Sequence, residues 1–304
     1  MPQISAGTRH CGMLAPDKDL SLEKMKHPIH RLAVAACILL SVLYLHACSY
    51  WRSGGLERIT DGLSPQELAA ARNQARKLLL VLDKVNADLN TFKGVGKIRL
   101  WNKAYTQIAE RVAWVGAEPS SLSIVVLISG HPGPRLSTDG SYLYYLDLQN
   151  KKDPFKKIRA SDASLEEILS LPVKSSDIIE LLRGRAPLYE YSSVALVTGR
   201  SGNDNVLVLG KRWRGIIEKI YLTSDKKRAW KIEVYNRKGR LRYRAEFKNM
   251  LEVQGYRVPV RLDISNDKGD GFSLEIDRYL TNVSISPSMF VLKPPGSPDR
   301  QESD

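Results

Sequence analysis

The side chains able to do covalent or metal chemistry are few and unevenly spread. The chain has three cysteines, Cys11, Cys37 and Cys48, and five histidines, His10, His27, His30, His46 and His131. All but Cys48 and His131 lie before residue 48. A structural zinc site asks for about four Cys or His ligands. Nucleophilic catalysis of the Ser-His-Asp or Cys-His kind asks for a histidine with an orienting partner. Beyond Cys48 the chain offers His131 alone, inside Gly130-His131-Pro132-Gly133-Pro134, a turn-like stretch without a nucleophile elbow. The carboxylate pair Glu166-Glu167 falls in a capped first helical turn, where acidic residues favour the helix dipole. No P-loop, Rossmann fingerprint or EF-hand loop occurs. The expectation is no metal, no cofactor and no catalysis.

The remaining chemistry belongs to Cys48. Met25 to Arg31 (MKHPIHR) is basic, and Leu32 to Leu45 (LAVAACILLSVLYL) carries no charge. That run is short of the roughly 20 apolar residues a spanning helix needs. A basic stretch followed by a short apolar one is the pattern of a secretory signal. It ends in Leu45-His46-Ala47-Cys48, which resembles the bacterial lipobox. By that resemblance residues 1–47 are a leader, with Met25 as the true start, and Cys48 receives a diacylglycerol thioether. The alternative is an uncleaved signal anchor or a buried apolar helix. Two or three acyl chains on one residue hold a protein stably, at about 0.8 kcal/mol per buried CH₂. Ser49, where an Asp marks retention at the inner membrane, resembles an outer-membrane address, so the implied location is the periplasmic face of the bacterial outer membrane. With its sulfur used by lipid, the mature chain has no partner for a disulfide.

Composition agrees with an exported globular protein. Of 304 residues 43% are hydrophobic and 26% charged, which excludes a disordered chain, a collagen and a polytopic membrane protein. Lys and Arg number 46 against 33 Asp and Glu, a net charge of +13, so the partners to expect are anionic. Nucleic acid is set aside, because an exported lipoprotein rarely meets it.

The elements that must position any site follow from periodicity. Residues 48–62 read as a small, polar tether with Gly54-Gly55. Ser64-Pro65-Gln66-Glu67 is a capping box with Pro in the first turn. Leu68, Ala71, Ala75, Leu78, Leu82, Val85 and Leu89 then recur at spacings of three and four, predicting an amphipathic helix from Pro65 to about Asn90 that packs on a sheet. From Thr91 the period becomes two. Strand-like runs follow at Tyr105–Val115, Ser123–Ser129, Arg135–Thr138 and Tyr142–Leu148, with a turn at His131–Pro134. Lys151–Lys157 reads as a basic loop. Ser164 opens a short helix to about Leu171; Ser175 or Ser176 caps a second, which Gly184 ends. Strands resume at Val194 and continue to Ile276, about ten in all, with Pro259 at an edge or bulge. The prediction is mainly β with α: one domain over residues 63–292, an open, incomplete antiparallel barrel lidded by the N-terminal helix and the central helix pair, and a disordered tail at 293–304.

This order of parts resembles the LolA/LolB family of lipoprotein carriers and receptors, LolB most of all. Leu89–Leu100 (LNTFKGVGKIRL) is similar to the family's exit from its first helix. Ser161–Pro187 is similar to its helix pair, a pattern shared with a related lipoprotein domain family of unknown function. Gly255–Ile264 (GYRVPVRLDI) is similar to a late Pro-bearing strand, and Ser286–Pro294 (SPSMFVLKP) to the Phe-x-Leu-x-x-Pro ending of related sorting proteins. The resemblance implies a cavity for acyl chains or lipidated client proteins, with a periplasmic lipoprotein carrier as partner. Lining candidates are Ile98, Leu100, Val125, Leu127, Leu143, Val258 and Val260 on strands, with Ile168, Leu169, Ile178 and Leu182 on the lid. Ordinary core packing is the alternative for each. The family's apolar membrane tip after the third strand is missing, since that turn reads His131-Pro132-Gly133-Pro134-Arg135. Lys151, Lys152, Lys156 and Lys157 around Phe155 are candidates for a membrane-surface contact, and Lys211-Arg212-Trp213-Arg214 for an outer strand face or an anionic-lipid contact. A structural or assembly adaptor with a packed barrel and no ligand is the competing reading.

Overall fold

The strand-like runs from Thr91 onward build thirteen strands among the described residues, more than the ten expected. The computed structural model describes residues 62–102, 108–160, 171–198 and 205–296, all within one compact unit, Ser53–Asp304. The leader, Cys48, nearly all of the tether, the first helix of the central pair with Ile168 and Leu169, and the tail beyond Gly296 lie outside the described residues. Helix α1 (Pro65–Asp83) precedes β1 (Thr91–Trp101), β2 (Ile108–Ala117), β3 (Ser121–Ile128), β4 (His131–Asp139), β5 (Tyr142–Leu146) and β6 (Phe155–Arg159). Helix α2 (Ser175–Leu182) leads to β7 (Ser193–Thr198), β8 (Asn205–Lys211), β9 (Gly215–Leu222), β10 (Ala229–Tyr235), β11 (Leu241–Val253), β12 (Tyr256–Ser265) and β13 (Gly271–Thr281). A 3₁₀ turn, Pro287–Phe290, follows.

The strands form one antiparallel sheet in the order β6-β5-β4-β3-β2-β1-β13-β12-β11-β10-β9-β8-β7. The chain lays down six strands outward from β1, crosses through α2, and lays seven more inward until β13 pairs with β1. The outermost strands, β6 and β7, are not paired to one another, so the barrel is open, as the sequence predicts.

The predicted helix start holds: the Ser64 hydroxyl accepts from the Glu67 amide, and the Glu67 carboxylate accepts from the Ser64 amide at 2.8 Å. The helix is shorter than its apolar stripe suggests. It ends at Asp83 because the chain turns at Asn86, a left-handed residue whose side chain bonds the Arg183 and Arg257 carbonyls at 2.6 and 2.7 Å. Ala75, Leu79 and Leu82 are its buried face, and its main contact is β7.

Three further corrections concern turns. The β3–β4 turn is Ser129-Gly130, both left-handed, and Pro132-Gly133-Pro134 lies within β4 at a register irregularity. Phe155–Arg159 is an edge strand and not a loop, because the sheet supplies a partner in β5 that the basic sequence does not advertise. Neither serine caps α2; Lys174 occupies the cap position with no side-chain hydrogen bond. Gly184 does end the helix in a left-handed conformation, as expected.

Pro259 is tolerated because β12 pairs with β13 only over Arg261–Ser265. At Pro259 there is thus no β12–β13 ladder for a missing amide to interrupt. The Ser286–Pro294 ending folds back on the outer face: Phe290 and Leu292 are buried, and the Ser137 hydroxyl donates to the Phe290 carbonyl at 2.9 Å.

Candidate functional site

Register decides which side chains look inward. β1 and β2 pair Gly96 with Val112, Gly94 with Trp114 and Phe92 with Gly116; β2 and β3 pair Trp114 with Ile124 and Val112 with Val126. A Cβ on Gly94 would run into the Trp114 ring, and one on Gly96 into the Glu275 carbonyl. The glycines let β1 lie close under the indole and against β13, which curls the sheet there.

On this concave face, beneath α2, lies a cavity of about 330 Å³. Its strand walls are Ile98, Leu100, Val112, Trp114, Ile124, Val126 and Ile128 together with Leu136, Tyr145, Leu262, Phe272 and Leu274, and α2 contributes Ile178 and Leu182. The volume is at the small end of the roughly 300–1,000 Å³ typical of ligand sites. Among the described residues only Glu110 and Arg135 bring charge to the wall. An apolar lining with so few donors suits hydrocarbon, which offers no hydrogen bonds to replace lost hydration.

Of the predicted lining, Ile98, Leu100, Ile178 and Leu182 meet around this cavity. Val125 and Leu127 do not. Pairing of Val125 with Ala113 and of Leu127 with Arg111 puts them on the opposite face, where Val125 borders an outer groove with Met289. The β3 residues that sequence reasoning missed are Ile124, Val126 and Ile128. Ser121 and Ser123 at odd positions were the available signal, masked by the apolar run that follows. Leu143 and Val258 are buried in the core, 2% and 0% exposed, and do not line the cavity; Val260 is half-buried and also outside it.

Around β7–β11 the same face is filled. Leu207, Leu209, Ile220, Ile232, Val234 and Ala245 are buried in one core with Ile179 and Leu181 of α2 and with Ala75, Leu79 and Leu82 of α1. A polar network is embedded here. The Asp177 carboxylate accepts from the Tyr189 hydroxyl and, at 3.0 Å, from the Tyr243 hydroxyl. Glu218, fully buried, accepts from the Tyr189 amide at 3.2 Å, and its other oxygen has no partner among the described residues. Burial, reinforced by Asp177, raises the Glu218 carboxyl well above its usual range. Burial and the same carboxylate raise Tyr243 and Tyr189.

Arg183 fastens the helix end to the sheet. Fully buried, it donates to Glu180 at 2.8 Å and Glu118 at 3.0 Å, and to the Asn86 and Ala87 carbonyls at 3.3 Å. The Tyr279 hydroxyl satisfies the Leu182 carbonyl at 3.1 Å. Ile178 and Leu182 are thereby held over the strands.

The other expected surfaces fall as follows. Lys151, Lys152, Lys156 and Lys157 are exposed, but Phe155 is half-buried, 6.5 Å from the Tyr144 ring, and does not project. Lys156 pairs with Asp153 at 3.4 Å, and Lys157 sits 3.9 Å over Tyr142. His131 is exposed at the start of β4.

No protein-family model matches this chain. No curated protein matches it by sequence. Solved structures do. A LolA superfamily protein from Nitrosomonas europaea is similar at 17% identity with a TM-score of 0.51, over 72% of this chain and 97% of that one. A domain named provisionally as an outer-membrane lipoprotein-sorting protein, from Vibrio parahaemolyticus, is similar at 14% identity and 0.48, over 73% and 96%. A DUF1329 family protein from Desulfovibrio piger is similar at 12% identity and 0.49, over 74% and 97%. The fold is LolA/LolB-like: one open antiparallel sheet with helices against it.

Proposed function

We propose that this LolA/LolB-like chain is a non-catalytic lipoprotein that takes an acyl chain, free or attached to a lipidated client protein, into the cavity under α2. One observation carries the reading: a void of about 330 Å³ whose wall, among the described residues, is almost wholly apolar. An empty apolar void costs the fold lost contacts, and hydrocarbon restores them. Arg135, which borders both the cavity and the outer groove, offers an ester or carboxyl oxygen at the chain's end a cationic partner. The fold shared with the LolA superfamily protein supports the same role.

The cell-level part of the proposal is anchoring through lipid on Cys48, with the domain at the periplasmic face of the outer membrane, receiving clients from a periplasmic carrier. Metabolic labelling with a radioactive fatty acid, comparing wild type with Cys48→Ala, tests the anchor. For the cavity, the full chain carrying Cys48→Ala is purified, its extracted lipid is identified by mass spectrometry, and uptake of a fluorescent fatty acid is titrated. Ile124→Trp, which fills the void, is expected to abolish uptake while leaving the melting temperature unchanged or higher. Absence of both co-purified lipid and uptake in the parent protein sinks the reading. The filled β7–β11 half favours a second reading, an assembly adaptor without ligand, which requires Ile124→Trp to keep full cellular function.

A further inference from the structure

The β8–β9 turn carries the most exposed large apolar side chain among the described residues. Trp213 is 81% exposed, with a left-handed backbone (φ 70°) that suits glycine or asparagine far better than an indole. Burial of that ring has no partner in the fold: its one ring contact is the Arg212 guanidinium, 5.5 Å from the centroid. The base of the turn is fixed, with the Arg212 amide donating to the Ser192 hydroxyl at 2.7 Å and the Arg214 amide to the Lys211 carbonyl at 2.9 Å. The tip therefore presents its indole from a tied loop.

Charge gathers around it. The β8–β9 and β10–β11 turns hold Lys211, Arg212, Arg214, Arg237, Lys238 and Arg240 and no carboxylate. Of these only Lys211 forms an ion pair among the described residues, with Glu190 at 2.6 Å, a carboxylate that Arg214 also faces. Behind the two turns opens a cleft of about 550 Å³, with Lys174, Lys211, Arg214, Arg237 and Arg242 on its wall against the single carboxylate of Glu190. Because every strand pair is antiparallel, these turns lie at the same end of the strands as Leu100, Ile128 and Phe272, which border the acyl cavity.

We propose that this end of the sheet is a docking surface for an acidic phospholipid bilayer: Trp213 enters the headgroup layer, the flanking cations lie along the phosphates, and the cleft admits a headgroup. The match is one of charge and amphipathy. Indole prefers the membrane–water boundary, and clustered Lys and Arg are drawn to anionic leaflets. A single-strand nucleic-acid surface would offer a succession of stacking rings along a groove, whereas here one indole stands at a convex tip. The proposal is independent of the acyl cavity and of Cys48.

The test is vesicle co-sedimentation of the full Cys48→Ala chain. Phosphatidylcholine vesicles containing phosphatidylglycerol are compared with phosphatidylcholine alone, so that any contribution of the apolar leader appears in the neutral baseline. Partition onto anionic vesicles is expected to exceed the baseline by tenfold or more and to fall with salt, at about fivefold per cation. Arg212→Gln with Arg214→Gln should remove most of the excess. Trp213→Ala should lower it several-fold, and brominated lipid should quench wild-type fluorescence more than that of Trp213→Phe. These positions are exposed, so fatty-acid uptake should be the same in all variants, which separates failure of this surface from failure of the cavity. Equal partition of wild type onto both vesicles, or an anionic preference untouched by the variants, overturns the proposal. So does displacement from anionic vesicles by single-stranded RNA at lower concentration than by lipid.

Discussion

The two flanks of the sheet solve the same packing problem in opposite ways. Around β7–β11 the concave face is packed with buried side chains, and Asp177, Tyr189 and Tyr243 form a hydrogen-bonded network within it. Around β1–β4 the face carries equally apolar side chains yet leaves a void. Composition does not separate the flanks; cover does. Among the described residues two helices share this core: α1, whose Ala75, Leu79 and Leu82 are buried and whose main contact is β7, and α2, whose Ile178 and Leu182 reach the cavity from its rim.

That contrast can be broken by truncation. The largest expected effect is Leu207→Ala, in the sealed flank, at about 3–4 kcal/mol of lost stability. Ile124→Ala, on the hollow flank, should cost only about 1 kcal/mol, because its side chain already lacks contacts on the cavity side. Equal losses in paired denaturant titrations would show that the void is filled in solution.

Removing the clamp comes next. Arg183→Ala deletes a fully buried guanidinium shared by Glu118 and Glu180. The expected loss is about 3 kcal/mol, at the low end for breaking a buried pair, since both carboxylates keep some access to water. Fatty-acid uptake should weaken with it, because Ile178 and Leu182 are no longer held in place. Uptake that survives the loss of stability would detach the cavity from α2.

The smallest effect sharpens the packed side. Glu218 titrates near 4.5 when unfolded and well above that when folded. Its contribution to stability is therefore fully present below about pH 4.5 and is lost as pH rises through the raised value. Glu218→Gln cannot ionise. It should melt with wild type in acid and above it at neutral and alkaline pH, by a margin that grows with pH. A parallel pair of pH–melting curves would mean that Glu218 is solvated.

Much of this architecture was legible in the chain. The Ser64 capping box, the helix-to-strand switch at Thr91, the Gly184 stop and the open antiparallel barrel were readable because each depends on local stereochemistry or on a short period. What failed depended on neighbours. β3 is apolar on both faces, so its parity is set by cross-strand pairing with Trp114 and not by alternation, and Val125 and Leu127 turned out to face away. Lys156 and Lys157 disguised β6 as a loop, since an edge strand needs charge to resist unwanted pairing. Trp213 was recognised as part of a basic aromatic cluster, but its place on a turn and its exposure came from the register of β8 and β9.

By itself the sequence determined the fold class, the order of helix and strands, and that His131 is the one histidine or cysteine after Cys48. Tertiary structure alone decided that the concave face is solid on one flank and hollow on the other, which side chains border the hollow, and that six basic residues from two distant turns share one end of the sheet. The reason is physical: alternation and capping act over a few residues, whereas a void is a mismatch between surfaces brought together from β1, β3, β13 and α2, and no segment carries that mismatch alone.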